Sequence, residues 1–85
     1  MTNSLPDPEG QTPSEGIEGR YANYYLVGHN AFEFLIDFGQ LFPGRSEQVH
    51  TRIVTSPPYA KELLRVLSQS IETYEKQFGE IAERE

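Results

Sequence analysis

Ala31-Phe32-Glu33-Phe34-Leu35-Ile36-Asp37-Phe38 decides the fold. Phe32, Phe34, Ile36 and Phe38 recur at every second position, with Glu33, Leu35 and Asp37 between them. A period of two is the signature of a strand with one face turned to apolar surroundings. Before it stands Tyr21-Ala22-Asn23-Tyr24-Tyr25-Leu26-Val27, aromatic and β-branched, followed by Gly28-His29-Asn30, residues that suit a turn. The two runs read as a β-hairpin. After it, Gly39 to Gln48 holds Phe42-Pro43-Gly44-Arg45-Ser46, a loop with strong breakers. Val49-His50-Thr51-Arg52-Ile53-Val54-Thr55 then forms a third strand, with Val49, Thr51 and Ile53 expected on one face and His50, Arg52 and Val54 on the other. Connections this short predict an antiparallel meander.

Ser56-Pro57-Pro58 ends the strands and starts a helix, with Ser56 as the N-cap and proline in the first turn. The helix carries Ala60, Leu64, Leu67, Ile71, Tyr74, Phe78 and Ile81 at alternating spacings of four and three, and Leu63 and Val66 widen the stripe. Gly79 is the expected C-cap. The fold class is therefore α+β: a three-stranded antiparallel meander packed on one long C-terminal helix, occupying residues 19–85.

Residues 1–18 are of a different kind. They are rich in Pro, Gly, Ser and acidic residues and contain none of the ten aromatics. Such a segment cannot bury enough apolar surface to offset its ordering entropy, so it is expected to be a disordered acidic tail. The chain has 85 residues and net charge −6. Asp7, Glu9, Glu15 and Glu18 supply four of those charges with no base beside them, which leaves the folded part nearly balanced. Nucleic-acid binders work through a basic field that this chain lacks, so nucleic acid is a disfavoured partner.

The sequence contains no cysteine. Disulfides, cysteine zinc sites and thiol catalysis are excluded, and the cytoplasm is the expected compartment. Nothing resembles a signal peptide, and no apolar run nears the ~18–20 residues that span a bilayer. His29 and His50 lack metal-ligand spacing, and a cross-strand partner among Glu33 and Asp37 is the ordinary role for His50. Glu33 and Asp37 lie too far apart along a strand, at ~13 Å, for a glycosidase pair. No serine has a nucleophile-elbow context, and the glycines around Phe42 lack a phosphate-loop lysine. No cofactor, catalytic residue or metal ligand is expected.

Size argues for association. An ordered part of about 65 residues is marginal by itself. A helix from Pro58 to Phe78 spans roughly 30 Å, and a seven-residue strand only roughly 23 Å. Tyr74, Phe78 and Ile81 therefore overhang while still continuing the apolar stripe. Leu35 and Val54 on the second sheet face, joined by Tyr25 and Val27 or by Tyr24 and Leu26 according to register, are more apolar than solvent requires. The expected interface is Leu35, Val54, Ile71, Tyr74, Phe78 and Ile81, and the expected partner is a second copy. A secondary polar site is expected at His29, Asn30, His50 and Arg52.

Gly19-Arg20-Tyr21-Ala22-Asn23, Val27-Gly28-His29-Asn30-Ala31-Phe32-Glu33-Phe34, Asp37-Phe38 and His50-Thr51-Arg52-Ile53-Val54-Thr55-Ser56-Pro57 with Ala60-Lys61 together resemble a family of small bacterial and archaeal proteins, the domain of unknown function 3467. The resemblance covers roughly residues 19–81 and leaves out the tail. It implies a short strand-rich domain followed by a helix, and it brings no activity, ligand or site residue. The functional expectation is a non-enzymatic cytoplasmic homodimer serving as an adaptor or subunit of a protein assembly. Two other classes stand beside it. One is a nucleic-acid-associated regulator using Arg20, Arg45 and Arg52; the other is a small metal-binding protein or enzyme.

Overall fold

The computed structural model describes residues 16–83. The order of elements is β1 (Tyr24–His29), β2 (Phe34–Gln40), β3 (Gln48–Thr55) and α1 (Pro57–Phe78). The strands form one antiparallel sheet in the order β1-β2-β3. The α+β class, the meander and the long C-terminal helix thus stand as the sequence suggests. The tail expected at residues 1–18 lies outside the described residues as far as residue 15.

The hairpin turn falls later than Gly28-His29-Asn30. β1 continues through His29, and the reversal is made by Asn30 to Glu33. The Asn30 side-chain oxygen accepts from the amides of Phe32 (2.7 Å) and Glu33 (2.9 Å), and the Asn30 amide donates to the Glu33 carbonyl at 3.0 Å. An asparagine that captures the amides ahead of it is a self-contained turn, so glycine was not needed at the bend. The second connection is tied by a bond from the Arg45 amide to the Phe42 carbonyl at 3.1 Å. Pro43 and Gly44, whose φ is +77°, fill its two central places as a type II turn requires.

Register sorts the side chains, because directly opposed residues share a face. One face carries Tyr25, Phe38 and Thr51, then Val27, Ile36 and Ile53, then His29, Phe34 and Thr55. The other carries Leu26, Asp37 and Arg52, then Gly28, Leu35 and Val54. Of the two registers left open by the sequence, the one joining Leu26 to the Leu35–Val54 face is realised.

The strict alternation expected of β3 breaks at a β-bulge. Phe38 opposes Thr51, but Gly39 opposes Val49, so His50 is the extra residue. Val49 therefore stands by register on the side of Asp37 and Gly39, away from Thr51 and Ile53. Gly39 makes room for this irregularity. A Cβ there would lie 3.0 Å from Val49 Cα and closer still to the Gln48 carbonyl oxygen, both backbone atoms of β3.

Helix α1 begins one residue after β3. Ser56 is extended (φ −86°, ψ 161°) and its side chain makes no cap bond, so the proline-led first turn starts the helix unaided. The helix ends at Gly79 (φ +100°), whose amide donates to the Glu75 carbonyl at 2.9 Å, and the Glu75 carboxylate accepts from the Ile81 amide at 2.9 Å. Close contact between elements is concentrated in the two strand pairs. The expected backing of the sheet by the helix is met only around the first turn, where Thr55, Ser56, Pro57 and Ala60 are half-buried. No residue of α1 is buried. Among the described residues no apolar side chain is buried at all, and Asp37, 8% exposed, is the buried polar residue.

Candidate functional site

The six residues expected at an interface all present apolar surface in the single chain. Leu35 and Val54 are directly opposed on β2 and β3; Leu35 is half-buried and Val54 exposed. Ile71, Tyr74, Phe78 and Ile81 are exposed along and just beyond α1, with Phe78 at 70%. The rings of Tyr74 and Phe78 lie 5.0 Å apart, one turn from each other, and form an aromatic end to the stripe. Leu63, Leu64, Val66 and Leu67 nearer the start of the helix are exposed too, so the whole stripe is open. A shallow depression of about 620 Å³ runs along that part of α1, lined by Pro58, Lys61, Glu62, Leu64, Arg65 and Ser68.

The four polar residues fall at three points of the sheet, with His29 and Asn30 together at one end. His29 stacks on Phe34 with ring centroids 5.3 Å apart, at the turn end of the hairpin. Asn30 is spent on the turn itself. Arg52 sits mid-sheet opposite Asp37, and its Nε and Nη2 donate to the two carboxylate oxygens at 2.7 and 2.8 Å. His50 occupies the bulge at the far end. Phe34 and Gly39, which mark the two ends, are five residues apart on β2, or roughly 17 Å.

The expected pairing of His50 with Glu33 or Asp37 is corrected by the bulge. His50 Nε2 lies 3.0 Å from the Tyr21 carbonyl, which can only accept, so Nε2 carries the proton. Nδ1 then accepts from the Thr51 hydroxyl at 2.7 Å. The Arg20 guanidinium donates to the His50 carbonyl at 3.3 Å. The chain before β1 is held across the same end of the sheet. The Leu41 backbone amide donates to Asn23 Oδ1 at 2.8 Å, and the Asn23 backbone amide donates to the Gly39 carbonyl at 3.0 Å. A shallow open depression of about 510 Å³ results, lined by Glu18, Arg20, Ala22, Phe38, His50 and Thr51. The signal for this end in the sequence is a glycine inside a strand, Gly39, which stands next to the loop residues and is not distinguished from them by composition.

The pairing of Arg52 with Asp37 sets the electrostatics of the second face. The guanidinium, by hydrogen bond first and by charge as well, holds the Asp37 carboxyl below its ordinary range against the opposing effect of burial. Arg65 does the same for Glu62 one turn away on exposed helix surface, at 2.6 Å. Of the arginines considered for phosphate contact, Arg52 is engaged by Asp37, Arg20 by His50, and Arg45 lies 5.7 Å over the Phe42 ring. The described residues contain no group of three or more His, Asp or Glu able to hold a metal ion. Among them no helix is long and apolar enough to cross a membrane.

The family described as "Protein of unknown function (DUF3467)" matches residues 2–83. The chain belongs to this family. The match reaches well into the segment that the resemblance left out, so the family's pattern includes most of residues 1–18. No curated protein and no solved structure gave a significant match.

Proposed function

We propose that this chain is one subunit of a symmetric homodimer that performs no reaction of its own and serves as an adaptor or structural subunit in a protein assembly. One observation carries the reading. A chain whose strands and helix are rich in large apolar side chains buries none of them. Ordering the backbone costs about 1–2 kcal/mol per residue, and the burial that normally offsets this is missing from the single chain. Large apolar patches left open on a small domain mark association surfaces. Fourteen of these residues on the three strands and the helical stripe, from Tyr25 to Ile81, are at least 42% exposed. At on the order of 100 Å² each, they offer more than the about 800 Å² per partner of a stable interface.

A second copy is favoured because it brings the same unmet surfaces and closes them in a twofold pair. The adaptor role draws on what association leaves free. β1 and β3 are the sheet's edges, and an unpaired edge accepts a strand from another protein. Light scattering coupled to size exclusion, over a dilution series, tests the reading. A mass twice the 9.7 kDa of the chain is the expected result. A single-chain mass at every concentration overturns it.

A further inference from the structure

We propose that in the dimer each helix α1 lies across the sheet of the other copy, on the face carrying Tyr25, Val27, Phe34, Ile36, Phe38 and Ile53. The proposal rests on the dimer reading above and adds its geometry.

The connection between β3 and α1 is short. It is one residue, Ser56, held extended by the proline that follows. Loops that return a helix over the strand before it usually take two to six residues. Two prolines fix φ at the next two positions, so the helix has no hinge on which to swing back. It leaves the sheet from the end of β3 and keeps its apolar stripe away from its own strands, which is why no α1 residue is buried.

The choice of face comes from charge. The face named above contains no Asp, Glu, Lys or Arg at any strand position. The opposite face has the Asp37–Arg52 pair at its centre, already satisfied. An apolar helix stripe is complementary to the first face and would strand the second face's ions.

At 22 residues α1 is about 33 Å long, whereas three strands are only about 10–14 Å across. The distal part, with Ile71, Tyr74 and Phe78, suffices to cross the partner's sheet. The part nearer Pro57, with its alternating four and three spacing, then meets its counterpart across the twofold axis. Each copy supplies the cover that the other lacks, so the helix stripe and this one sheet face close in one step.

The test is an isotope-filtered NOE experiment on the full chain, in a dimer mixed from labelled and unlabelled copies, with the mass checked by light scattering in the same sample. The expected result is a dimer with intermolecular contacts from the Tyr74 and Phe78 rings to the methyls of Val27, Ile36 and Ile53. A dimer in which those contacts arise only within one chain, or in which intermolecular contacts join only helix to helix, overturns the exchange and leaves the dimer standing. A monomer overturns both.

Discussion

Asp37 and Arg52 face each other across β2 and β3 and share two hydrogen bonds, yet they differ sharply in exposure: 11% of the Asp37 side chain is accessible and 60% of that of Arg52. The arginine serves as the lid of the carboxylate. Arg52→Met should therefore leave a covered carboxylate without its partner and lower the melting temperature more than Arg65→Met does. The second change breaks only an exposed helical pair, of a kind worth little. Adding Asp37→Asn to Arg52→Met should recover part of the loss. Equal losses from the two arginine variants, measured by thermal denaturation, would show that the mid-sheet pair is no more than surface decoration.

The same pair sets a limit in acid. The folded-state pKa of Asp37 is lowered by Arg52, so its contribution is fully present above the unfolded value, near 4, and fades as pH falls through the folded value. Glu62 is lowered by Arg65 and acts with the same sign. Being exposed, that contribution should be screened away in high salt. Denaturation curves below pH 4 in high salt should thus lose stability in the wild type and be flatter for Asp37→Asn. Parallel curves for the two proteins would count against the assignment.

Gly39 faces the backbone of β3 where the ladder slips. Gly39→Ala drives a methyl into the Gln48 carbonyl and Val49 Cα. It should cost about 1–3 kcal/mol, the usual range for overpacking a tight site. The bulge should be the part that yields, so the His50 ring should lose its fixed tautomer and show averaged nitrogen shifts. A variant with unchanged stability and an unchanged His50 spectrum would rule out the close approach.

Phe78 is the most exposed ring of the helical stripe. Phe78→Asp places a charge where a partner surface is expected and should weaken self-association by at least ~30-fold, as truncation of an aromatic anchor does. The readout is the midpoint of the light-scattering dilution curve. A variant that keeps the wild-type midpoint would remove the helix end from the interface.

Much of this architecture was legible because each element announces itself locally. The alternation through Phe34, Ile36 and Phe38 marks a strand whatever its neighbours do, and the spacing from Ala60 to Phe78 marks a helix. Pairing register was not legible, since Tyr25 and Leu26 are equally apolar and only the ladder decides which joins Leu35. The bulge was missed for a related reason. Val49 to Thr55 alternates well enough to read as regular, and the warning lay on another strand, at Gly39. The hairpin turn moved because Asn30 supplies its own acceptors, a role that composition does not distinguish from a place inside Gly28-His29-Asn30. The exposure of Tyr74 and Phe78 was expected from lengths alone. That the stripe is open from Leu63 onward was not, because it depends on the direction in which one extended serine launches the helix.

The meander order has a consequence in time. Each strand pairs with its neighbour in sequence, and only residues 30–33 and 41–47 separate them. Loops of that size close within about 100 ns, and chains dominated by such local contacts fold fast. With a second copy as the cover, the slow event is the meeting of two chains rather than any rearrangement within one. Refolding would then follow second-order kinetics, its half-time doubling with each twofold dilution, and newly made subunits would pass through a lone stage whose duration is set by how many others are nearby.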